Sequence, residues 1–364
     1  MNIATQGKWL AALAMAGLVA TGARTARADG DDKGDKSDKP ADKADGDKAE
    51  GDRSEGEGEE GEHAEGGEKG EKGEKKHEEK RVVVGVDLVL GFGKVPFAVE
   101  NPVGSGPNPQ TPTYTATDKT SSNVQSFIFG ASAEVAEHLG IGVRVPLTFA
   151  TFNPDGYSSR STTAVGNVEF EGEYGIHLGK GLRLTPALGV ALPTAPGVEL
   201  DPALSNATNV DQAGFDRYSL SKAAAAARGY EDNALFEPRR WGIIPKLALE
   251  IRPVHGLNIE PFVKLENLIS SSPNDIKPTY VGELVYGLRA GYWIQKQFEL
   301  ALKFWANTTF AGADEDKTTS AALEPQVVLR FGAVRPYAGV IIPVAGPPQQ
   351  NNFFGIRLGV AAAF

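Results

Sequence analysis

Three glutamates occupy alternate positions in one short stretch of the chain: Glu169, Glu171 and Glu173. In an extended strand, side chains alternate between the two faces, so these three carboxylates would share one face. Like charges at this spacing repel one another unless water or cations lie nearby. Arg144 and Arg183, on the segments expected to flank this one, would supply such cations. The pattern therefore indicates a hydrated, charged surface, which either conducts small solutes or neutralises itself through internal ion pairs.

The sequence gives little indication of enzymatic chemistry. The chain has no cysteine, which excludes disulfides, thiol chemistry and cysteine-based metal sites. The sequence has no nucleophile-elbow, zinc-protease or phosphate-loop motif, and no Ser-His-acid set can be assembled from it. His138 and His255 fall in predicted tight turns. We predict that the chain is not an enzyme and that it has no metal site and no cofactor.

The elements that would position the charges are strands. Apolar and polar residues alternate with a period of two throughout 81–364, and no apolar run reaches the length of a membrane-spanning helix. Tight turns alternate strictly with long connections. The predicted tight turns are 137–140, 179–181, 254–256, 295–297 and 332–334, and the long connections are 96–123, 153–163, 194–238, 270–279, 310–320 and 345–352. Transmembrane barrels have this asymmetry, so we predict an all-β, antiparallel transmembrane β-barrel of about twelve strands, with ten or fourteen as alternatives.

The last stretch, 353–364, carries the most specific pattern. Phe354, Ile356, Leu358 and Val360 share an apolar face, and the sequence ends on Phe364. This stretch resembles the C-terminal strand of Gram-negative outer-membrane β-barrels. The resemblance implies a bacterial outer-membrane location, both barrel termini in the periplasm, and Phe364 as a signal read by the barrel-insertion machinery. It also implies contact with outer-membrane lipid and lipopolysaccharide.

A water-soluble β-sandwich or lipocalin-like barrel is the alternative, with the apolar face inside. Twelve strands enclose a lumen too wide to be filled by aliphatic side chains alone, about 12 Å in backbone radius. We therefore assign the apolar face to lipid and the polar face to the lumen. The predicted lumen-facing charged residues are Asp87, Glu134, Arg144, Glu169, Glu171, Glu173, Arg183, Lys246, Glu250, Arg252, Glu260, Lys264, Glu266, Glu283, Arg289, Glu299, Lys303, Glu324, Arg330 and Arg357.

Two functions fit this architecture. The first is a narrow porin-like channel for passive diffusion of small solutes, and the second is a closed structural or adhesive barrel that acts through its loops. A lipid hydrolase is a third, weaker hypothesis, because Gly179 stands two positions after His177 where the outer-membrane phospholipase has a serine. Nucleic acid is not an expected partner, and the sequence does not specify an oligomeric state.

The connection 194–238 is the longest. Its segment 219–228 (SLSKAAAAAR) has high helix propensity, with Ser219 as a candidate N-cap. Its position resembles that of the third loop of general porins, which folds inward and constricts the pore. The alternative is an exposed extracellular loop with one or two helical turns.

Two segments precede the barrel. Residues 1–28 read as a secretory signal peptide, with Lys8, an apolar run over 9–20 and an A-x-A site at 26–28. Residues 29–80 contain 21 acidic and 11 basic residues, a net charge of −10, and almost no apolar side chain. Such a segment cannot bury enough surface to fold, so we expect a disordered acidic periplasmic tail that acts as a spacer.

Overall fold

The computed structural model describes residues 82–100, 114–196, 212–271, 279–295, 297–312 and 318–364. The predicted signal peptide and acidic tail lie outside these residues. Among the described residues no helix is long and apolar enough to cross a membrane. The strands are β1 (Val82–Glu100), β2 (Tyr114–Ala136), β3 (Leu139–Asn153), β4 (Arg160–Val165), β5 (Glu169–Tyr174), β6 (Ile176–Gly179), β7 (Leu182–Ala191), β8 (Arg240–Ile251), β9 (Leu257–Ser270), β10 (Tyr280–Trp293), β11 (Phe298–Ala311), β12 (Thr319–Leu329), β13 (Val334–Ala345) and β14 (Phe354–Ala363).

These strands form one closed antiparallel ring. Apart from the short strands β4, β5 and β6, each pairs with its neighbour along the chain, and β1 pairs with β14, so that Leu88 lies opposite Leu358. Three short strands, β4, β5 and β6, follow one another between β3 and β7 and together make a single wall position. The barrel therefore has twelve wall positions, as predicted. Closure pairs β1 with both β2 and β14, so the first and last strands of the barrel have no free edge.

The predicted connections are confirmed at the short turns and wrong at one long connection. Tight turns join β2 to β3, β6 to β7, β8 to β9, β10 to β11 and β12 to β13, and they define what we call the short-turn end. The described parts of the segment 96–123, which was expected to be a long loop, are strand (96–100 and 114–123), because β1 and β2 remain paired from Val82–Ala133 to Glu100–Tyr114 across an irregularity between Val95 and Phe97. The threonine- and serine-rich stretch before residue 124 belongs to a strand, since β-branched threonine is well suited to a pleated sheet.

Side-chain direction agrees with the predicted faces. Leu247, Leu302 and Leu358 point outward and are 41%, 48% and 42% exposed. Asp87 and Glu299, at inward-facing positions, are completely buried. The inner face is less uniformly polar than expected, because Val89 and Trp305 also point inward and are buried.

The apolar inner positions pack against a helix that lies inside the barrel. This helix, α1 (Gln212–Ala227), is followed by a 3-10 turn (Asn233–Leu235), and a short α2 (Pro347–Gln350) precedes β14. Leu220 and the five alanines 223–227 of α1 form one buried cluster with inward-facing side chains from at least six wall strands. For the described part of the connection 194–238, the inward alternative is therefore confirmed and the exposed-loop alternative is wrong.

Candidate functional site: the charged lumen and its inserted loop

The inserted segment begins and ends differently from the sequence prediction. The helix starts at Gln212, so Ser219 is not an N-cap but an internal residue whose hydroxyl donates to the carbonyl of Pro96 at 3.2 Å. The helix ends at Ala227, and the chain reverses at Gly229, where φ is +60°. The amide of Tyr230 donates back to the carbonyl of Ala225 at 2.9 Å. Glycine favours this left-handed conformation, which reverses the chain and satisfies a terminal carbonyl. The reversal places the next few residues at the centre of the lumen.

Small residues allow the helix to approach the wall. A Cβ atom on Gly91 of β1 would lie 2.3 Å from the Cβ of Ala227, closer than real Cβ contacts. Glycine on the strand and alanine on the helix are therefore both needed at this contact. The run of alanines, which the sequence offered only as a helix-forming segment, makes the helix thin enough to fit in the barrel.

Arg228 connects the end of the helix to β1. Its Nη1 donates to Asp87 Oδ2 at 2.6 Å, and its Nε donates to Ser126 Oγ at 3.1 Å. Arg357 of β14 approaches the same carboxylate, with Nε 2.9 Å from Oδ1 and Nη2 2.9 Å from Oδ2. Tyr337 completes the group by donating its hydroxyl to Asp87 Oδ1 at 3.0 Å. Two cations and a hydroxyl thus satisfy one fully buried carboxylate.

The next two acidic residues of the loop reach other parts of the wall. Glu231 pairs with Lys303 of β11, and its other oxygen lies 3.2 Å from Arg357 Nη1. Asp232 Oδ1 accepts from Arg144 Nη2 of β3 at 2.7 Å and lies 3.8 Å from Lys264 Nζ of β9. Loop carboxylates therefore meet wall cations on four different strands. We call 228–232, together with these partners, the loop latch.

Asn167 and Trp305 bind the inserted loop through hydrogen bonds to its backbone. Asn167, in the gap between β4 and β5, is completely buried. Its Nδ2 donates to the carbonyls of Ala234 at 2.9 Å and Glu237 at 2.6 Å, and its Oδ1 accepts from the Ala195 amide at 2.9 Å. One side chain thus holds both the first and the last part of the long connection. Trp305 adds a hydrogen bond from Nε1 to the carbonyl of Gly229 at 2.9 Å.

Two ion pairs lie at the outer part of the inserted segment. Arg160 Nη2 is 3.0 Å from Asp216 Oδ2, and Lys222 Nζ is 2.6 Å from Glu237 Oε1. Burial is the largest influence on the pKa of Glu237 and raises it, but the Lys222 ammonium, with Arg240 and a hydrogen bond from Asn233, outweighs burial, so the pKa is lowered. Burial would likewise lower the pKa of Lys222, and the Glu237 carboxylate reverses that effect, so the pKa is raised. Both groups therefore stay charged at neutral pH.

The predicted lumen residues that lie deepest are engaged in contacts. Among them, Asp87, Glu169, Glu266, Glu283, Arg289, Glu299, Glu324 and Arg357 are buried. The predicted compensation of the glutamate ladder by Arg144 is present, because Arg144 Nη1 donates to Glu169 Oε2 at 3.1 Å. Lys246 of β8 contributes more than expected and pairs with both Glu169 and Glu171.

The remaining predicted residues are partly exposed and lie mainly towards the short-turn end. Arg252 Nη2 is 3.0 Å from Glu250 Oε1, and the Arg330 guanidinium stacks 4.7 Å from the centre of the Trp293 ring. The half-buried residues of this set are Glu134, Glu173, Arg183, Glu250, Arg252, Glu260 and Arg330.

A cavity of about 210 Å³ lies in the lumen between the loop latch and the short-turn end. Glu231 and Asp232 of the loop line it, so the inserted segment closes one side of the cavity. Phe262 and Tyr337 contribute aromatic surface, and charged side chains from β3, β5, β8, β9, β10, β11, β13 and β14 complete the lining. The cavity can hold water and a small solute surrounded by ionised groups.

Sequence reasoning missed the loop side of this site. Arg228, Glu231 and Asp232 were not among the predicted lumen charges, although they contact the deepest ones. The available signal was a run of alanines followed directly by charges of both signs, in a connection long enough to re-enter the barrel. Buried wall charges of both signs need partners of the opposite sign, and this segment supplies a cation for Asp87 and carboxylates for Arg144 and Arg357.

Comparison with known proteins gives only distant structural similarity. No protein-family model and no curated protein matches the chain. An outer-membrane channel of Pseudomonas putida F1 is similar over 78% of this chain and 95% of its own, with 11% identity and a TM-score of 0.49. The NanC porin is similar over 76% of this chain and 98% of its own, with 11% identity and a TM-score of 0.40. The KdgM porin covers 76% of this chain and 99% of its own, with 8% identity and a TM-score of 0.38.

Proposed function

We propose that the chain forms a channel across the bacterial outer membrane, through which small solutes diffuse passively past an inserted loop. The observation that carries the proposal is the combination of an apolar outer surface with a cavity lined by ionised groups inside a closed barrel. A water-soluble barrel would have the opposite arrangement. Transmembrane barrels present apolar side chains to lipid and polar ones to the lumen.

The orientation and targeting belong to the same proposal. The signal peptide at 1–28 would direct export, and the short-turn end would face the periplasm. The amide of Phe364 donates to the carbonyl of Val82 at 2.8 Å, so the last residue is tied to the first described strand. The Phe364 side chain is 76% exposed, which leaves it available to the insertion machinery as an insertion signal.

The lumen is narrow because the loop fills the half that carries the long connections. In that half, α1 packs against apolar inward-facing residues, and the cavity lies on the short-turn side of the latch. We expect a small conductance for the intact protein. Solutes would be limited to small molecules.

A closed structural or adhesive barrel is the second candidate, and the same apolar packing of α1 favours it. Recording from purified, refolded protein in planar lipid bilayers separates the two. Discrete, reproducible conductance steps support the channel. Silence under both voltage polarities, from protein shown to be folded by its heat-modifiable gel mobility, contradicts the channel and supports the closed barrel.

A further inference from the structure

The charged groups that line the cavity are unevenly distributed around the barrel. Among the described residues, the wall formed by β10 to β14 contributes cations but no carboxylate to the lining. These cations are Arg289 of β10, Lys303 of β11, Arg335 of β13 and Arg357 of β14. We call this surface the cationic wall.

Two carboxylates of the same strands stand behind their cations. Glu299 and Glu324 are completely buried and do not line the cavity. Arg289 Nη2 donates to Glu299 Oε1 at 2.8 Å, and Arg357 Nη1 donates to Glu324 Oε2 at 3.2 Å. Each pair is therefore oriented with its positive member toward the cavity. A solute in the cavity is therefore nearer to the positive member of each of these two pairs than to the negative one.

Three of the five carboxylates that line the cavity are paired with cations that also line it. Glu171 pairs with Lys246, Glu231 pairs with Lys303, and Asp232 pairs with Arg144. Glu173 and Glu260 also line the cavity, which brings the lining to seven cations and five carboxylates. A charged cleft with low-dielectric walls concentrates ions of the opposite sign.

We propose that the lumen selects for small anionic solutes, such as monocarboxylates, over cations of similar size. This inference rests on the proposed channel function and adds the class of solute to it. The cationic wall is the selective element, and Arg289 is its most directly testable member. Its partner Glu299 can be neutralised together with it, which avoids leaving a buried charge alone.

The test is the reversal potential of single channels under a potassium chloride gradient. The wild-type protein should show a chloride-to-potassium permeability ratio above one. The double variant Arg289→Gln/Glu299→Gln removes one lining cation but no lining carboxylate, and its ratio should fall about twofold to threefold. Arg289→Lys, which keeps the charge, should stay near wild type.

The matched control is Lys180→Gln. It removes one positive charge from an exposed position in the turn between β6 and β7, outside the lumen, and should leave the ratio unchanged. A conducting wild-type channel with a ratio of one or less overturns this inference and leaves the channel function standing. Equal ratios for wild type and the folded double variant also overturn it. Absence of any conductance contradicts the channel itself, and the selectivity with it.

Discussion

Arg228 of the inserted loop and Asp87 of β1 form an ion pair at 2.6 Å, and their side chains are 1% and 0% exposed. The two residues are 141 positions apart in the chain, so the pair connects the first strand to the middle of the longest connection. Removing one member of an ion pair at this depth destabilises the fold, because the remaining charge loses a buried partner.

Replacing Arg228 with Met should destabilise the folded barrel by about 3 kcal/mol, because Asp87 keeps Arg357 but loses its contact with the loop. Urea unfolding in lipid vesicles would measure the change. Arg160→Met is the matched control, since Arg160 is 36% exposed and its pair with Asp216 should contribute at most about 1 kcal/mol. Equal effects from the two substitutions would show that the latch has no special role.

Asn167 should be needed to hold both parts of the loop. Asn167→Asp retains an acceptor for the Ala195 amide but cannot donate to the carbonyls of Ala234 and Glu237. We expect both Asn167→Asp and Asn167→Ala to increase proteolytic cleavage within 212–237, with folded barrel retained on gels. If both variants resisted proteolysis within 212–237 as well as the wild-type protein does, Asn167 would not be needed to hold the loop.

The absence of native cysteine makes site-specific labelling straightforward. Ala225 is 1% exposed inside the barrel, so Ala225→Cys should react with a polar maleimide only after unfolding. Ser158→Cys, at an exposed position in the connection between β3 and β4, should react at once. Fast labelling of folded Ala225→Cys would place the helix outside the lumen.

The outer surface makes a separate prediction. Leu302 points outward on β11 and is 48% exposed, whereas the adjacent Lys303 points into the lumen. Leu302→Arg should destabilise the protein in lipid by about 2–4 kcal/mol, as charges do on the lipid face of a barrel near the midplane. Ser158→Arg should have little effect. Equal stability of Leu302→Arg and wild type in lipid vesicles would contradict a lipid-facing position.

Strand alternation was sufficient to predict the barrel, because a period of two assigns each residue to one face before any contact is known. Leu247 and Glu299 are examples for which the faces follow directly from the pattern. Alternation could not predict why Val89 and Trp305 are apolar and yet face inward, since they pack against a helix from a distant connection. Sequence alone permitted that helix to lie inside or outside, and the choice depends on long-range contacts such as that between Gly91 and Ala227.

The wall side of the charged lumen was predicted from strand alternation, and the loop side was not. Wall charges such as Arg144 and Arg357 lie on regular strands, so their direction follows from alternation. Arg228, Glu231 and Asp232 lie in an irregular turn, where no periodicity defines a direction. Their partners become evident only when the loop is placed in the lumen.

The central claim is that the inserted loop constricts the lumen, and single-channel conductance tests it most directly. The measurement compares the wild-type protein with a variant in which 212–237 is replaced by a short Gly-Ser linker. If the inserted loop constricts the lumen, wild type should show small discrete steps and the variant steps several-fold larger. Conductance that is the same in both proteins, with the variant confirmed as folded, would contradict the claim.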